Sequence, residues 1–385
     1  MIKIKIDDKT RKTIEKLHWE WFFDKVETTI RLPRRKITRK KYISEILGLD
    51  EKNFETEIRP YILGGYEDIK KLISTNTNIK GVAKKKNLTK DEKKIKKRTD
   101  LILEAFGYND FDNRNKNTWG AYKFCEILKV DICPYCNRQY VFTVREETRD
   151  CVTRPEIDHF YPKSIYPFLS LNIYNFIPSC HICNNIKNNA ENNIIYPYEE
   201  GFGKDISFRA KYAQEIPENS SILDISNTHI FFKDRLCDVL ETGKCIHNKQ
   251  AKARKSIKTF HLEEIYNEHK IELQDLFTRY RNYSKPKIDE ITRLIVDAQL
   301  DTKKIEDKSP QKHFKLTKEQ KEELVQQVAS TYTKRIKRTI LGLPLGAGEK
   351  QYPLRKFKED IIEQLDNTAR KMKAEAKTRD KNKSK

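Results

Sequence analysis

Two cysteine pairs, Cys133-Pro134-Tyr135-Cys136 and Cys180-His181-Ile182-Cys183, bracket a stretch that holds the dipeptide Asp158-His159. A CxxC turn presents two sulfurs to one ion, and two such turns complete a tetrahedral zinc site. One pair alone would leave a thioredoxin-like redox site open. Two pairs favour a structural zinc held by Cys133, Cys136, Cys180 and Cys183. The 43 residues between the pairs are too many for a simple zinc ribbon. The segment therefore reads as an ordered insertion folded between two fixed ends. His181 lies inside the second turn and reads as a bystander, because four thiolates already close the site. Cys125, Cys151, Cys237 and Cys245 lack this spacing. Cys237, Cys245 and His247 form at best a weak second set, and buried thiols with a surface histidine are the preferred reading.

The insertion must position Asp158 and His159. Ile157 to Phe160 is a short apolar-flanked run that reads as a strand. A polar, proline-containing loop follows, then Asn175-Phe176-Ile177-Pro178 as a second strand. Cys180 to Lys187 opens a helix, with Asn184, Asn185 and Lys187 in its first turns. The order is strand, loop, strand, helix, with a cysteine turn at the joint.

This arrangement resembles the HNH endonuclease family, whose ββα-metal core carries D-H, then N, then C-x-x-C-N-x-x-K. The matching residues are Asp158-His159, Asn175, and Cys180, Cys183, Asn184 and Lys187. The likeness covers residues 133 to 187, about a seventh of the chain. Within the family, "HFYPKS" and "CNNIK" look most like the nuclease subunits of Septu-type bacterial antiphage systems and retron-linked relatives. The resemblance implies that His159 is the general base and that Asp158 and Asn184 hold a catalytic divalent metal. It implies that Asn175 fixes the loop and the histidine, while Lys187 and Lys163 are candidate phosphate contacts. Asn185 is an adjacent rival to Asn184, and Asn172 a weaker rival to Asn175. The Septu likeness further implies an ABC-type ATPase partner and a role in phage defence.

The implied roles agree with the chemistry of the residues. A neutral histidine can take a proton from water near pH 7. A divalent cation can bind the scissile phosphate and stabilise the leaving oxygen. Hard oxygen ligands from Asp158 and Asn184 suit Mg²⁺ or Mn²⁺, whereas thiolates suit Zn²⁺.

Composition frames the rest. Of 385 residues, 78 are Lys or Arg and 57 are Asp or Glu, a net charge of +21. That surplus favours a polyanionic partner, nucleic acid or an anionic membrane surface. The nuclease resemblance implies DNA before tRNA or other RNA. No apolar run is long enough to span a membrane and no secretory signal is visible, so a cytoplasmic protein with no membrane partner is expected. The segment 31–41, RLPRRKITRKK, reads equally as a phosphate contact or a solvated loop. A helix is expected over 10–30, with Ile14, Leu17, Trp21 and Val26 on one face, and another after Thr89 and Glu92, stopped at Gly107. Tyr140 to Val144 looks β-like. A helical pattern runs from Leu262 to Tyr280. Further helices are expected from Pro286 and from Thr317 to about Gly342, and a frayed tail from about 368. The expected class is α+β: a small zinc-stapled, treble-clef-like core between mostly helical flanks. The expected divisions are 1–120, 121–200, a connector at 201–248, and 249–385. Two alternatives to an endonuclease are a non-catalytic, zinc-containing nucleic-acid-binding module and an adaptor whose helices dock a partner.

Overall fold

A computed structural model describes residues 1–32, 35–83, 87–112, 119–146, 152–188, 193–211, 228–234, 248–283, 287, 288, 290, 291, 294, 319, 338–343 and 352–383. The fold is α+β, mainly helical with three two-stranded sheets among the described residues. It divides into two compact units. The first holds Met1–Ile206 and Asp234–Leu262, and the second Ser207–Lys233 and Glu263–Lys385.

In the first unit, α1 (Asp8–Val26) begins where Asp7 accepts the Thr10 amide at 2.8 Å. Its buried side chains Ile14, His18, Trp21, Phe22 and Val26 recur every three or four residues and form one face. The hairpin β1 (Thr29–Arg31) and β2 (Lys36–Thr38) leads into α2 (Arg39–Leu47). Next come α3 (Phe54–Leu63), α4 (Tyr66–Thr75) and α5 (Lys90–Phe106). Thr89 and Glu92 form the expected capping box, and Gly107 closes α5 at φ +79°, a backbone setting that favours glycine. The short helices α6 (Tyr108–Asp112) and α7 (Ala121–Leu128) precede the cysteine-rich segment.

That segment contains β3 (Glu156–His159), antiparallel to β4 (Phe176–Ser179), and then α8 (His181–Lys187). The register pairs His159 with Phe176 and Glu156 with Ser179. Helix α1 and the α3–α4 corner fasten the connecting loop. His18 Nε2 donates to the Leu171 carbonyl at 2.8 Å, and Asn172 Nδ2 donates to the Pro60 and Gly64 carbonyls. Gly81 donates to the Ile165 carbonyl at 2.8 Å, and a Cβ there would lie 2.0 Å from the Ser164 carbonyl oxygen. Only glycine permits that approach.

Several expectations change. The basic N-terminal region and the cysteine-rich core fold as one unit, with no division at 120. Helix α9 (Asn248–Thr259), expected in the C-terminal region, also belongs to this unit. Its Ser256 hydroxyl accepts the Ile195 amide at 2.9 Å, and Phe260 just beyond it stacks on Tyr135. Tyr140 to Val144 forms only isolated bridges, Ile132 to Tyr140 and Val144 to Thr153.

In the second unit, β5 (Ile206–Lys211) and β6 (His229–Asp234) pair. The expected 262–280 helix is interrupted, as α10 (Leu262–Asn267) and α11 (Lys270–Asn282). Helix α12 runs from Arg355 to Lys383, across the position near 368 where the frayed tail is expected to begin. Its Phe357, Ile361 and Leu365 are buried in a cluster with Phe208, Tyr266 and Phe277. Asp360 accepts the Phe208 amide, and Gln364 bonds both backbone groups of Ala210, so the strand anchors the first half of the helix. The helices expected from Pro286 and Thr317 lie mostly outside the described residues. Among the described residues, no helix is long and apolar enough to cross a membrane.

Candidate metal centre and adjoining cleft

The first cysteine turn is closed by the Asn137 amide donating to the Cys133 carbonyl at 2.8 Å, with Asn137 at φ +53°. Asparagine tolerates that left-handed setting. The second turn is the start of α8, where Cys180 is the N-cap and its sulfur accepts the Cys183 amide. Cys133, Cys136, Cys180 and Cys183 are all buried, and their sulfurs lie within 4.8 Å of one another. A tetrahedral ion with bonds of about 2.3 Å needs sulfurs about 3.8 Å apart. The cluster can therefore hold a metal such as zinc. His181 is exposed and outside the cluster, as expected of a bystander to it. Cys125 is a buried thiol pushed up to about 12 by burial. Cys151, Cys237, Cys245 and His247 lie outside the described residues.

Tyr135 lies within the first turn, between Cys133 and Cys136 in sequence. Its hydroxyl donates to Asp158 Oδ2 at 2.6 Å. Burial first, then the Asp158 charge, raises its pKa well above the ordinary range, so the phenol keeps its proton. Lys187, from the end of α8, reaches the same carboxylate at 3.0–3.1 Å and donates to the His159 carbonyl at 2.9 Å. The Lys187 side chain is 0% exposed. Its assignment as a phosphate contact is corrected: the ammonium is an internal counter-ion of Asp158, enclosed where substrate cannot reach it.

Asp158 and His159 open onto a cleft of about 690 Å³, lined also by Asn184, Lys163, Glu156 and Arg154. Phe176 and Tyr108 grip the His159 ring edge-on, at centroid distances of 5.3 and 4.7 Å. His159 Nε2 lies 2.9 Å from the Ser170 carbonyl. A carbonyl only accepts, so Nε2 carries the proton and Nδ1 is the basic nitrogen of the neutral ring. Asn175 is fully buried. It accepts the Tyr161 amide at 2.7 Å and donates to the Tyr161 and Leu169 carbonyls at 3.0 and 3.1 Å. It thus ties together the loop that carries the Ser170 carbonyl. Asn172 instead caps the turn before β4 through the Tyr174 and Asn175 amides.

Asn184 Nδ2 donates to Glu156 Oε2 at 2.7 Å, and His181 Nδ1 lies 2.6 Å from Glu156 Oε1. Partial burial pushes the Glu156 carboxyl up. The bonds from Asn184 and His181, with the charges of His181 and Arg154, outweigh it and hold the pKa below the usual value. Lys163 places its ammonium 3.6 Å from the Tyr108 ring centroid. Arg154 pairs with Asp112 at 2.5 Å on the same cleft.

Sequence reasoning missed Glu156, Arg154, Asp112, Tyr108 and the Tyr135 hydroxyl. Glu156 had a signal, since residues two apart on a strand share a side with one another and Glu156 precedes Asp158 by two. Tyr108 and Asp112 reach the cleft from α6 and Arg154 from the segment before β3, while Tyr135 meets Asp158 from the cysteine turn. Comparison with protein-family models, curated proteins and solved structures finds no match for the chain.

Proposed function

We propose that this chain is a metal-dependent endonuclease of HNH type that hydrolyses phosphodiester bonds in nucleic acid, DNA before RNA, around a ββα core stapled by zinc. The observation that carries the proposal is His159. Its proton is committed to the Ser170 carbonyl, its ring is clamped, and it lines an open cleft beside Asp158 and Asn184. In this reading Nδ1 of His159 takes the proton of the attacking water.

Asp158 and Asn184 would hold Mg²⁺ or Mn²⁺. When bound, that ion supplies charge neutralisation at the scissile phosphate and the leaving oxygen. The donor set fits: a carboxylate has about four acceptor positions, and Tyr135 and Lys187 make three contacts to Asp158. Two of these are hydrogen bonds and one is an ion-pair contact of the same ammonium, so acceptor capacity remains for a metal bond. Lys163 and Arg154 line the cleft as cations for the phosphate backbone. The antiphage setting and an ABC-type ATPase partner are proposed on the sequence resemblance alone.

One observation favours the non-catalytic binding module instead. Both Asp158 oxygens already have buried partners, so the acid could be purely structural. A cleavage assay on DNA and RNA with Mg²⁺ or Mn²⁺ separates the two. Wild type should cut, and His159→Ala should lose about 10²- to 10⁴-fold in rate while keeping its zinc and its nucleic-acid binding. Wild-type specific activity in His159→Ala, or binding without cutting by wild type, would overturn the nuclease reading.

A further inference from the structure

A side-chain amide has two unlike arms, and only the oxygen can bind a cation. Nothing in the position of Asn184 on α8 decides which arm faces the cleft. Glu156 supplies the decision from the neighbouring strand, because a carboxylate accepts hydrogen bonds and cannot donate them. We propose that Glu156 is a positioning residue for the catalytic cation: it holds the nitrogen arm of Asn184 and so presents the oxygen arm as the ligand. This rests on the reading of Asn184 as a metal ligand.

The geometry restrains both partners. Glu156 Oε2 takes Asn184 Nδ2 at 2.7 Å, and Oε1 faces His181 Nδ1 at 2.6 Å. His181 Nε2 in turn lies 2.7 Å from Asn185 Nδ2. The carboxylate is therefore held at both oxygens and cannot swing away from Asn184 without losing a bond. Its backbone is fixed by pairing with Ser179, the residue before Cys180. His181, a bystander to the cysteine cluster, acquires a purpose here as the second anchor of Glu156. Asn184 and Asn185 both line the cleft. Asn184 bonds the Glu156 carboxylate and Asn185 bonds the exposed His181 ring, which favours Asn184 as the ligand in this reading.

The rival role for Glu156 is direct ligation of the ion. Mn²⁺ binding to the full-length zinc-loaded protein, followed by electron paramagnetic resonance, tells the two apart. Glu156→Ala should weaken Mn²⁺ binding about 10- to 100-fold, the usual cost of losing a residue that orients a ligand. Glu156→Gln keeps one acceptor arm but adds a donor arm that can turn the Asn184 amide the other way, so it should recover only part of that affinity. Asn184→Asp has two equivalent oxygens and needs no orientation, so adding Glu156→Ala to it should cost nothing. Zinc content reports whether each variant is folded, and Glu156→Gln serves as the gentler change.

Three results would overturn the proposal. One is wild-type affinity in Glu156→Ala. Another is equal loss in Glu156→Gln and Glu156→Ala together with a full further loss in the Asn184→Asp background, which would make Glu156 itself a ligand. The third is no Mn²⁺ binding by wild type. The predicted binding pattern without any cleavage would uphold the role of Glu156 and overturn the nuclease reading.

Discussion

The cysteine cluster and the cleft beside it are close in sequence and differ in construction. The cluster takes four soft ligands from two turns, buries them all, and leaves no position for a substrate. The cleft draws oxygen and nitrogen groups from β3, α6, α8 and the intervening loop, and stays open to solvent. Closed thiolate sites hold a fold together, and open sites with hard ligands suit chemistry. The two are joined by Tyr135, whose backbone belongs to a cysteine turn and whose hydroxyl holds Asp158. The closed site is thus also the mount of the open one.

The largest test breaks the cluster. A structural zinc contributes about 10–16 kcal/mol, comparable with or above the 5–15 kcal/mol that stabilises a typical domain. Cys133→Ser or Cys180→Ser should release the metal and melt the first unit, as followed by elemental analysis and thermal unfolding. Freshly purified wild type containing no zinc would remove the basis of the comparison.

A smaller effect is expected at the mount. Lys187→Met leaves the buried Asp158 carboxylate without its counter-ion and should cost about 3–5 kcal/mol in urea unfolding. Adding Asp158→Asn should recover part of that loss, since no charge then remains to be compensated. Unchanged stability with weakened nucleic-acid binding would restore Lys187 as a phosphate contact.

His18 probes the helical frame around the cleft. Trp119 Nε1 donates to its Nδ1 at 2.9 Å, and burial pulls its pKa from 6.5 to about 4. The folded value is depressed, so the unfolded chain binds the extra proton between about pH 6.5 and 4. Stability is full above that window and falls through it as the pH drops, by at most about 1.4 kcal/mol per pH unit. Measured against pH, His18→Gln should flatten this dependence even though it lowers overall stability. An equally steep fall in that variant would assign the titration to another group.

The smallest effect concerns the basic run. Arg35 pairs with Glu45, Arg39 with Asp110 and Lys40 with Glu27, so part of its charge is spent internally. Neutralising Arg34, Arg35 and Lys36 should lower the slope of log affinity against log salt by less than the roughly 0.9 per phosphate contact that each could contribute. An unchanged slope would show that this run makes no phosphate contact.

Local signals were legible where one segment carries its own answer. The capping box at Thr89 and Glu92, the stop at Gly107 and, apart from Leu17, the stripe of Ile14, Trp21 and Val26 on α1 follow from spacing alone. The strand, loop, strand, helix order around Asp158 was legible for the same reason, whereas the role of Asn175 in tying the loop was implied by the family resemblance. The start of α12 was not legible, because its Asp360 takes the Phe208 amide about 150 residues earlier on β5 and its Phe357 and Ile361 are buried in a cluster with Phe208. Lys187 was misread because a lysine is usually exposed, and only the packed structure supplies a buried carboxylate to compensate it.

The sequence by itself determined which groups could do chemistry: four thiols in two turns, an acid-histidine pair, and an asparagine on the following helix. Only the tertiary structure decided what each of them faces. It turned Nε2 of His159 to a carbonyl, enclosed Lys187 against Asp158, and set Glu156 against Asn184. The physical reason is that hydrogen-bond direction and burial depend on neighbours from other segments, and a one-dimensional spacing rule carries no record of them.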